Sequence, residues 1–120
     1  MWGKIKIRYS DKLFRQYLLK LRNYTCEATG RKFPEGKGLV VSHFFGRRHE
    51  NTRYSEINCD LVSIATHQRW HERPLEYTEW KKNKLGEKEF KKLVLEANRY
   101  KKRDDVMQAI ILKEMLKQLK

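Results

Sequence analysis

Residues 39–72 read LVVSHFFGRRHENTRYSEINCDLVSIATHQRWHE, and this stretch decides the fold that we predict. Its first five residues, Leu39–His43, are mostly apolar with two adjacent valines, which favours a strand. The polar and aperiodic segment 44–57 is predicted to be a long loop. An apolar rhythm over 59–64 predicts a second strand that pairs with the first, and helix formers fill 65–72. The middle of the chain is therefore expected to fold as strand, loop, strand and helix.

A helix is predicted on the N-terminal side of this unit. Ser10 or Asp11 can cap it, and its apolar residues recur at helical spacing until Asn23. The segment 29–38, TGRKFPEGKG, holds three glycines and a proline and is expected to be a turn-rich connection.

Further helices are predicted on the C-terminal side. A short helix is expected to end at Gly86, a longer amphipathic one to cover 87–103, and a last one to begin at Asp104 or Asp105. The apolar stripe of the last helix is interpreted as core packing, and it consists of Leu112, Met115, Leu116 and Leu119.

Length and charge limit the classes of protein. The 120 residues fit one α+β domain, with an N-terminal helix at 1–25, the strand–loop–strand–helix core at 26–73 and helices at 74–120. The formal charge of +13 predicts a polyanionic partner, although charge alone does not separate nucleic acid from a membrane surface. No stretch has the ~18 apolar residues of a membrane span, and the first ten residues lack the apolar core of a secretion signal. We therefore expect a cytoplasmic protein in which Cys26 and Cys59 are free thiols.

Three histidines and one asparagine fall on the predicted core unit. His43 ends the first strand, Asn58 opens the second, and His67 and His71 lie on the helix, at separations of 15, 9 and 4 positions. Residues four apart share a helix face, so His67 and His71 can present two imidazoles to one cation. By itself such a pair is equally compatible with a solvated or DNA-facing surface, and the combination with His43 and Asn58 is what favours a site.

The segment SHFFGRRHENTRYSEINCDLVSIATH, residues 42–67, resembles the HNH or His-Me finger endonucleases. The resemblance extends to small phage and prophage HNH proteins of the NinG-like kind and covers residues 14–93, including the tail HERPLEYTEWKKNKLGEKEF. It implies a ββα-metal fold, DNA as partner, a phage or bacterial host cell, and phage packaging or recombination proteins as further partners.

The resemblance also implies a role for each residue of the motif. His43 matches the general base that takes a proton from the attacking water, and Asn58 matches the asparagine that holds the loop and the base. His67 matches the final histidine of the motif, a metal ligand, and His71 matches a further ligand of the nuclease colicins. The cofactor implied is one divalent cation, Mn, Ni, Co, Zn or Mg. The function expected is hydrolysis of DNA phosphodiester bonds.

Phosphodiester hydrolysis also needs positive charge on the phosphoryl oxygens. Arg47, Arg48 and Arg53 in the loop are predicted to bind phosphate, since guanidinium groups contact phosphate in a bidentate manner, although a solvated charge is as good an interpretation for each alone. His49 is expected to face solvent or phosphate. Trp70 and Trp80 can stack on bases, but buried packing is favoured.

Two departures from the family pattern concern metals. The residue before the base is commonly Asp or His, and here it is Ser42, a weak candidate ligand. We therefore expect the cation to be held by the two imidazoles, waters and the substrate phosphate, unless Asp60 or Glu72 folds into the site as a further ligand. The second departure is that the positions of a structural zinc site read Cys26, Thr29, Ser63 and Thr66. One thiolate of four predicts no structural zinc, and apolar packing is expected in its place, from Tyr24, Phe33, Leu61 and Ile64.

Two other functions compete with the nuclease hypothesis. A basic DNA-binding module without catalysis would explain the charge and the loss of an acidic residue at position 42, but it needs none of the histidines. A basic membrane-surface or RNA-binding helical protein explains the charge but not the histidine spacings. The sequence does not predict the oligomeric state.

Overall fold

The computed structural model describes residues 6–119. Their fold is α+β, as predicted, and it combines a two-stranded antiparallel hairpin with helices. The elements in chain order are α1 (Tyr9–Leu21), β1 (Leu39–His43), β2 (Cys59–Ser63), α2 (Ile64–Glu72), α3 (Pro74–Ala97) and α4 (Asp105–Gln118). Within residues 6–119, no helix has both the length and the apolar character needed to cross a membrane.

The hairpin confirms the predicted strand, loop and strand. Val41 pairs with Leu61 and His43 with Cys59, and the connection between the strands carries a short 3-10 turn at Glu50–Thr52. The second strand ends one residue earlier than predicted. Ser63 caps α2, because its hydroxyl oxygen accepts a hydrogen bond from the backbone N–H of Thr66 at 3.2 Å.

The ends of α1 differ slightly from the predicted ones. The helix begins at Tyr9, and Asp11 lies inside its first turn rather than before it. The Asp11 carboxylate still acts on the helix terminus, since it accepts a hydrogen bond of 2.7 Å from the backbone N–H of Arg8. After Leu21 the chain turns with positive φ angles at Asn23 and Tyr24.

The break in α3 and the start of α4 lie at the predicted residues. Gly86 has φ 81° and ψ 163°, so α3 is two helical segments joined at the predicted break. The second segment ends at Ala97, earlier than the predicted 103. Asp104 caps α4 by accepting a 3.0 Å hydrogen bond from the backbone N–H of Met107.

The core consists of two clusters of buried side chains on either side of Val41, which contacts both. One cluster joins the hairpin to α2 and α3 and contains Leu19, Cys26, Leu39, Leu61, Val62, Trp70 and Tyr77. The other joins α1, α4 and the hairpin and contains Leu13, Phe14, Tyr17, Leu18, Cys59 and Leu112. The predicted stripe of α4 is therefore core, and both cysteines are free.

The expected packing around Cys26 is confirmed in part. Leu61 is fully buried, and Tyr24 and Phe33 are partly buried against the same cluster. Ile64 was wrongly included, because it begins α2 on the outer side and remains 49% exposed.

A buried ion pair joins α1 to the long loop. Nη2 and Nε of Arg53 donate to the two carboxylate oxygens of Asp11 at 2.6 and 2.9 Å. The Arg53 side chain is 1% exposed, and its guanidinium also donates to the backbone carbonyls of Arg47 and Lys6. Burial alone would raise the pKa of Asp11, but hydrogen bonds from Arg53 and from the backbone of Arg8 outweigh it and lower the pKa to about 2.

We predict that Asp11→Asn lowers the free energy of unfolding by about 3–5 kcal/mol, because it leaves the buried Arg53 charge without its partner. The control is Glu87→Gln, which breaks the solvent-exposed Glu87–Lys91 pair of α3 and should cost about 0–1 kcal/mol. Urea unfolding of the three proteins measures the difference. Equal losses in the two variants would contradict the importance of the buried pair.

Candidate functional site

A cleft of about 550 Å³ opens between the start of α1, strand β1, the beginning of the loop and α2. His43, Arg47 and His67 line it together. His43 and Arg47 are four positions apart, whereas His67 lies 20 positions after Arg47 and meets them because the hairpin brings the end of β1 beside α2. The cleft therefore unites the predicted base, one predicted phosphate ligand and one predicted metal ligand.

The tautomer of His43 is fixed by the loop. Its Nε2 lies 3.0 Å from the backbone carbonyl oxygen of Arg53. Because a carbonyl only accepts, Nε2 carries the hydrogen, and Nδ1 keeps the lone pair. The imidazole is thus oriented with Nδ1 as the nitrogen that can accept a proton.

Asn58 holds the other end of the loop. It is fully buried, its Oδ1 accepts from the backbone N–H of Phe45 at 2.8 Å, and its Nδ2 donates to the carbonyls of Phe45 and Thr52 at 2.9 and 3.1 Å. These bonds fasten the first residues after His43 to the start of β2. The contacts agree with the loop-holding role that the resemblance implies for this asparagine.

His67 and His71 lie on one face of α2 and line a second opening together with Gln68 and Glu72. His67 lines both this opening and the cleft of His43. The two imidazoles, with the Glu72 carboxylate beside them, are donors that suit a borderline divalent cation with open positions for water and phosphate. No group of three or more His, Cys, Asp or Glu side chains arranged to hold a metal occurs within residues 6–119.

Burial and charge keep the cleft histidines neutral. Burial, followed by the nearby Arg47 charge, lowers the pKa of His43 to about 4. Partial burial, then His71 and Arg47, lowers the pKa of His67 as well. Both imidazoles are therefore unprotonated at neutral pH, which is the form that accepts a proton or binds a metal.

The three predicted phosphate ligands have different positions. Arg47 lines the cleft, its charge reaches both histidines, and its Nε is buried without a hydrogen-bond partner among the described residues. Arg48 is exposed. The prediction for Arg53 is wrong, because its guanidinium is buried and bound to Asp11 and backbone carbonyls rather than presented to a ligand.

Two candidate oxygen ligands face away from the cleft. Ser42 is 2% exposed and pairs with Asp60 across the hairpin, and neither lines the cleft. Successive residues of a strand point to opposite faces, so Ser42 lies on the side opposite His43. The Asp60 carboxylate accepts hydrogen bonds from Tyr77, Lys81 and Lys84. Burial and this partner set argue against Ser42 and Asp60 as metal ligands.

His49 and the tryptophans have structural contacts. His49 Nδ1 donates to the Ala97 carbonyl at the end of α3, at 2.8 Å, which corrects the expectation that it faces solvent or phosphate. Trp70 is buried and stacks on Tyr77 with ring centroids 4.0 Å apart, as the packing interpretation predicted. Trp80 is partly buried against the same rings.

The four positions of the family's structural zinc come together as a hydrogen-bonded cluster. The Cys26 sulfur accepts from the backbone N–H of Ser63 at 3.3 Å, and the hydroxyls of Ser63 and Thr66 are 3.0 Å apart. Thr29 also donates to the Cys26 sulfur, and these bonds lower the pKa of the thiol although burial opposes them. The cluster joins the turn after α1 to the start of α2.

Sequence reasoning missed the polar groups under the hairpin. Lys81 is fully buried and donates to both oxygens of Asp60 at 2.9 Å. Its position in KKNK, a run of basic residues, gave no signal that one lysine is inside. Lys12, on the cleft wall, was missed for the same reason, since it is one of many lysines in a basic chain.

Comparison with protein-family models, with curated proteins and with solved structures gave no significant match. The assignment of the site therefore depends on the motif residues and on the contacts described above.

We predict that Arg47→Gln raises the pKa values of His43 and His67, because the positive charge of Arg47 helps to lower both of them. Arg48→Gln is the matched control, because the Arg48 charge is not among the groups that lower the pKa of either histidine. NMR titration of the imidazole resonances measures both values. Equal titration curves in the two variants would contradict the placement of Arg47.

The lowered pKa of His43 also makes the stability of the fold depend on pH. The unfolded chain takes up this proton near pH 6.5 and the folded protein only near pH 4, so protonation favours unfolding. The contribution of His43 to stability is present above pH 6.5 and is lost as the pH falls towards 4. In Arg47→Gln this loss should be smaller, because the gap between the two pKa values narrows.

Proposed function

We propose that this protein is a metal-dependent DNA endonuclease on a ββα-metal, His-Me finger scaffold. The observation that carries the proposal is the cleft in which His43, Arg47 and His67 meet, with the tautomer of His43 set by the loop. A binding module has no need of an oriented, neutral imidazole. The formal charge of +13 supports a nucleic acid as the polyanion that this cleft receives.

His43 is the general base in this proposal. Its Nδ1 accepts a proton from the water that attacks the scissile phosphate, while Nε2 remains hydrogen-bonded to the Arg53 carbonyl. The positive charge that forms on the imidazole is next to a developing phosphoryl dianion, which offsets the repulsion from Arg47. Asn58 keeps the loop, and therefore the carbonyl and the base, in place.

Arg47 and the histidine pair handle the phosphate. The Arg47 guanidinium binds the nonbridging oxygens and stabilises the charge that grows on them. His67 and His71 would hold one divalent cation, whose remaining positions would be filled by water and by the substrate phosphate. When bound, this cation would supply positive charge for the phosphoryl oxygens and the departing 3′ oxygen.

We predict that His43→Ala reduces the cleavage rate of supercoiled plasmid by about 10²–10⁴-fold while DNA binding is largely kept, since the base moves a proton and does not attract phosphate. His49→Asn is the matched control. It retains a donor for the Ala97 carbonyl and lies outside the cleft residues, so its rate should equal that of the parent. Gel assays of nicking and electrophoretic mobility shifts provide the two readouts.

Full activity of His43→Ala would disprove the assignment of the base. Binding without any cleavage by the parent, across Mg, Mn, Ni, Co and Zn, would favour the alternative, a basic DNA-binding module without catalysis.

We also predict that cleavage prefers manganese, nickel or cobalt to magnesium, because the strong protein donors are the two imidazoles of His67 and His71. His71→Ala should lower the rate and weaken the preference for these metals. Glu72→Gln tests the neighbouring carboxylate separately. Cleavage rates at equal concentrations of each metal decide the matter, and magnesium as the best metal with a fully active His71→Ala would refute the ligand pair.

A further inference from the structure

The cleft of His43 continues along β1 to a wall that the proposed chemistry does not use. This wall is apolar and is formed by Ile7, Phe14 and Val41. Val41 of β1 is only partly buried, and Ile7 is 65% exposed. The cleft therefore has a partly open apolar surface beside charged groups.

The two ends of the cleft differ in chemistry. At one end are His43 and Arg47, which suit a phosphate, and at the other is the apolar wall. Val41 is on the same face of β1 as His43 and two residues from it, which is about 7 Å along a strand. That separation is similar to the distance between a phosphate and the base of the same nucleotide. The volume of about 550 Å³ falls within the ~300–1,000 Å³ of small-ligand sites.

The cations on the wall fit the same ligand. Lys12 is exposed on α1 and lines the cleft, where it can contact a neighbouring phosphate. Arg15 is not available in this way, since its Nη2 donates to the carbonyls of Gly36 and Leu39 at 2.9 and 3.0 Å. Charge is thus placed along the path of a phosphodiester chain, with an apolar surface between.

We propose that the cleft binds one unpaired nucleoside beside the scissile phosphate, with its base against the wall of Ile7 and Val41. This deepens the proposed function and rests on it. In an intact duplex each base is stacked and paired, so a base enters the cleft only after it leaves the helix. The preferred substrate class is consequently single-stranded or locally unpaired DNA.

Binding without metal or cleavage gives the first test. Thymidine 5′-monophosphate and inorganic phosphate are titrated separately into the metal-free protein, and the methyl and imidazole resonances are followed by NMR. Both ligands should shift the His43 resonances, but the nucleotide alone should shift the methyl groups of Ile7 and Val41. Equal shifts of those methyl groups with phosphate and with the nucleotide would overturn the nucleoside site, whether or not the protein cleaves DNA.

Cleavage with matched variants gives the second test. Ile7→Gln makes the wall polar, and Ile57→Gln changes an isoleucine of similar exposure, 46%, outside the cleft. The substrates are a single-stranded oligonucleotide, its duplex, and bis(4-nitrophenyl) phosphate, which has no nucleoside. We expect the parent to cleave the single strand about tenfold faster than the duplex, given the usual strength of contacts between bases and protein.

Relative to bis(4-nitrophenyl) phosphate, cleavage of the single strand should fall about tenfold in Ile7→Gln and stay at the parental value in Ile57→Gln. Equal rates on single strand and duplex, with Ile7→Gln the same as the parent, would overturn the nucleoside site and leave the His43 chemistry intact. Loss of the proposed function would have a different signature, namely hydrolysis of bis(4-nitrophenyl) phosphate that does not depend on His43.

Discussion

The buried ion pair between Asp11 and Arg53 is the interaction on which the rest of the site depends. Arg53 lies in the middle of the long loop, and the pair joins that part of the loop to α1 together with the hydrogen bond that the Tyr54 hydroxyl donates to Asp11. Its backbone carbonyl accepts the Nε2–H of His43, and its Nη1 donates to the backbone carbonyl of Arg47. One residue thus sets the tautomer of His43 and the path of the chain at Arg47.

The loop is fastened at two further places, and this explains how an irregular segment can hold the cleft residues in a fixed geometry. Asn58 binds the backbone of Phe45 and Thr52, and Asn51 donates to the carbonyl and the side chain of Glu96 in α3. His49 adds a bond to the Ala97 carbonyl. Asn58 satisfies backbone groups of the loop itself, whereas Asn51 and His49 satisfy carbonyls at the C-terminal end of α3, which have no partner within the helix.

The two faces of the hairpin carry different polar residues. Residues of β1 alternate between its two faces, so His43 points to the cleft, whereas Ser42 lies with Asp60 on the side of α3. There Asp60 is bound by Tyr77, Lys81 and Lys84, and burial raises the pKa of Tyr77 well above its usual range. A carboxylate held in this way neutralises buried lysine charge and joins α3 to the strands.

The sequence by itself determined the elements and the spacing of the motif. The valines of β1, the capping residue Asp104 and the break at Gly86 act through local backbone preferences, and the predicted α+β class and most helix ends followed from them. Tertiary structure alone decided the roles of the polar residues. Arg53 and Lys81 are inside, and Arg47 faces the cleft, although all three are basic residues in a basic chain. Burial and ion pairing depend on which distant segments meet, as Asp11 meets Arg53 across 42 positions, and no local pattern records that meeting.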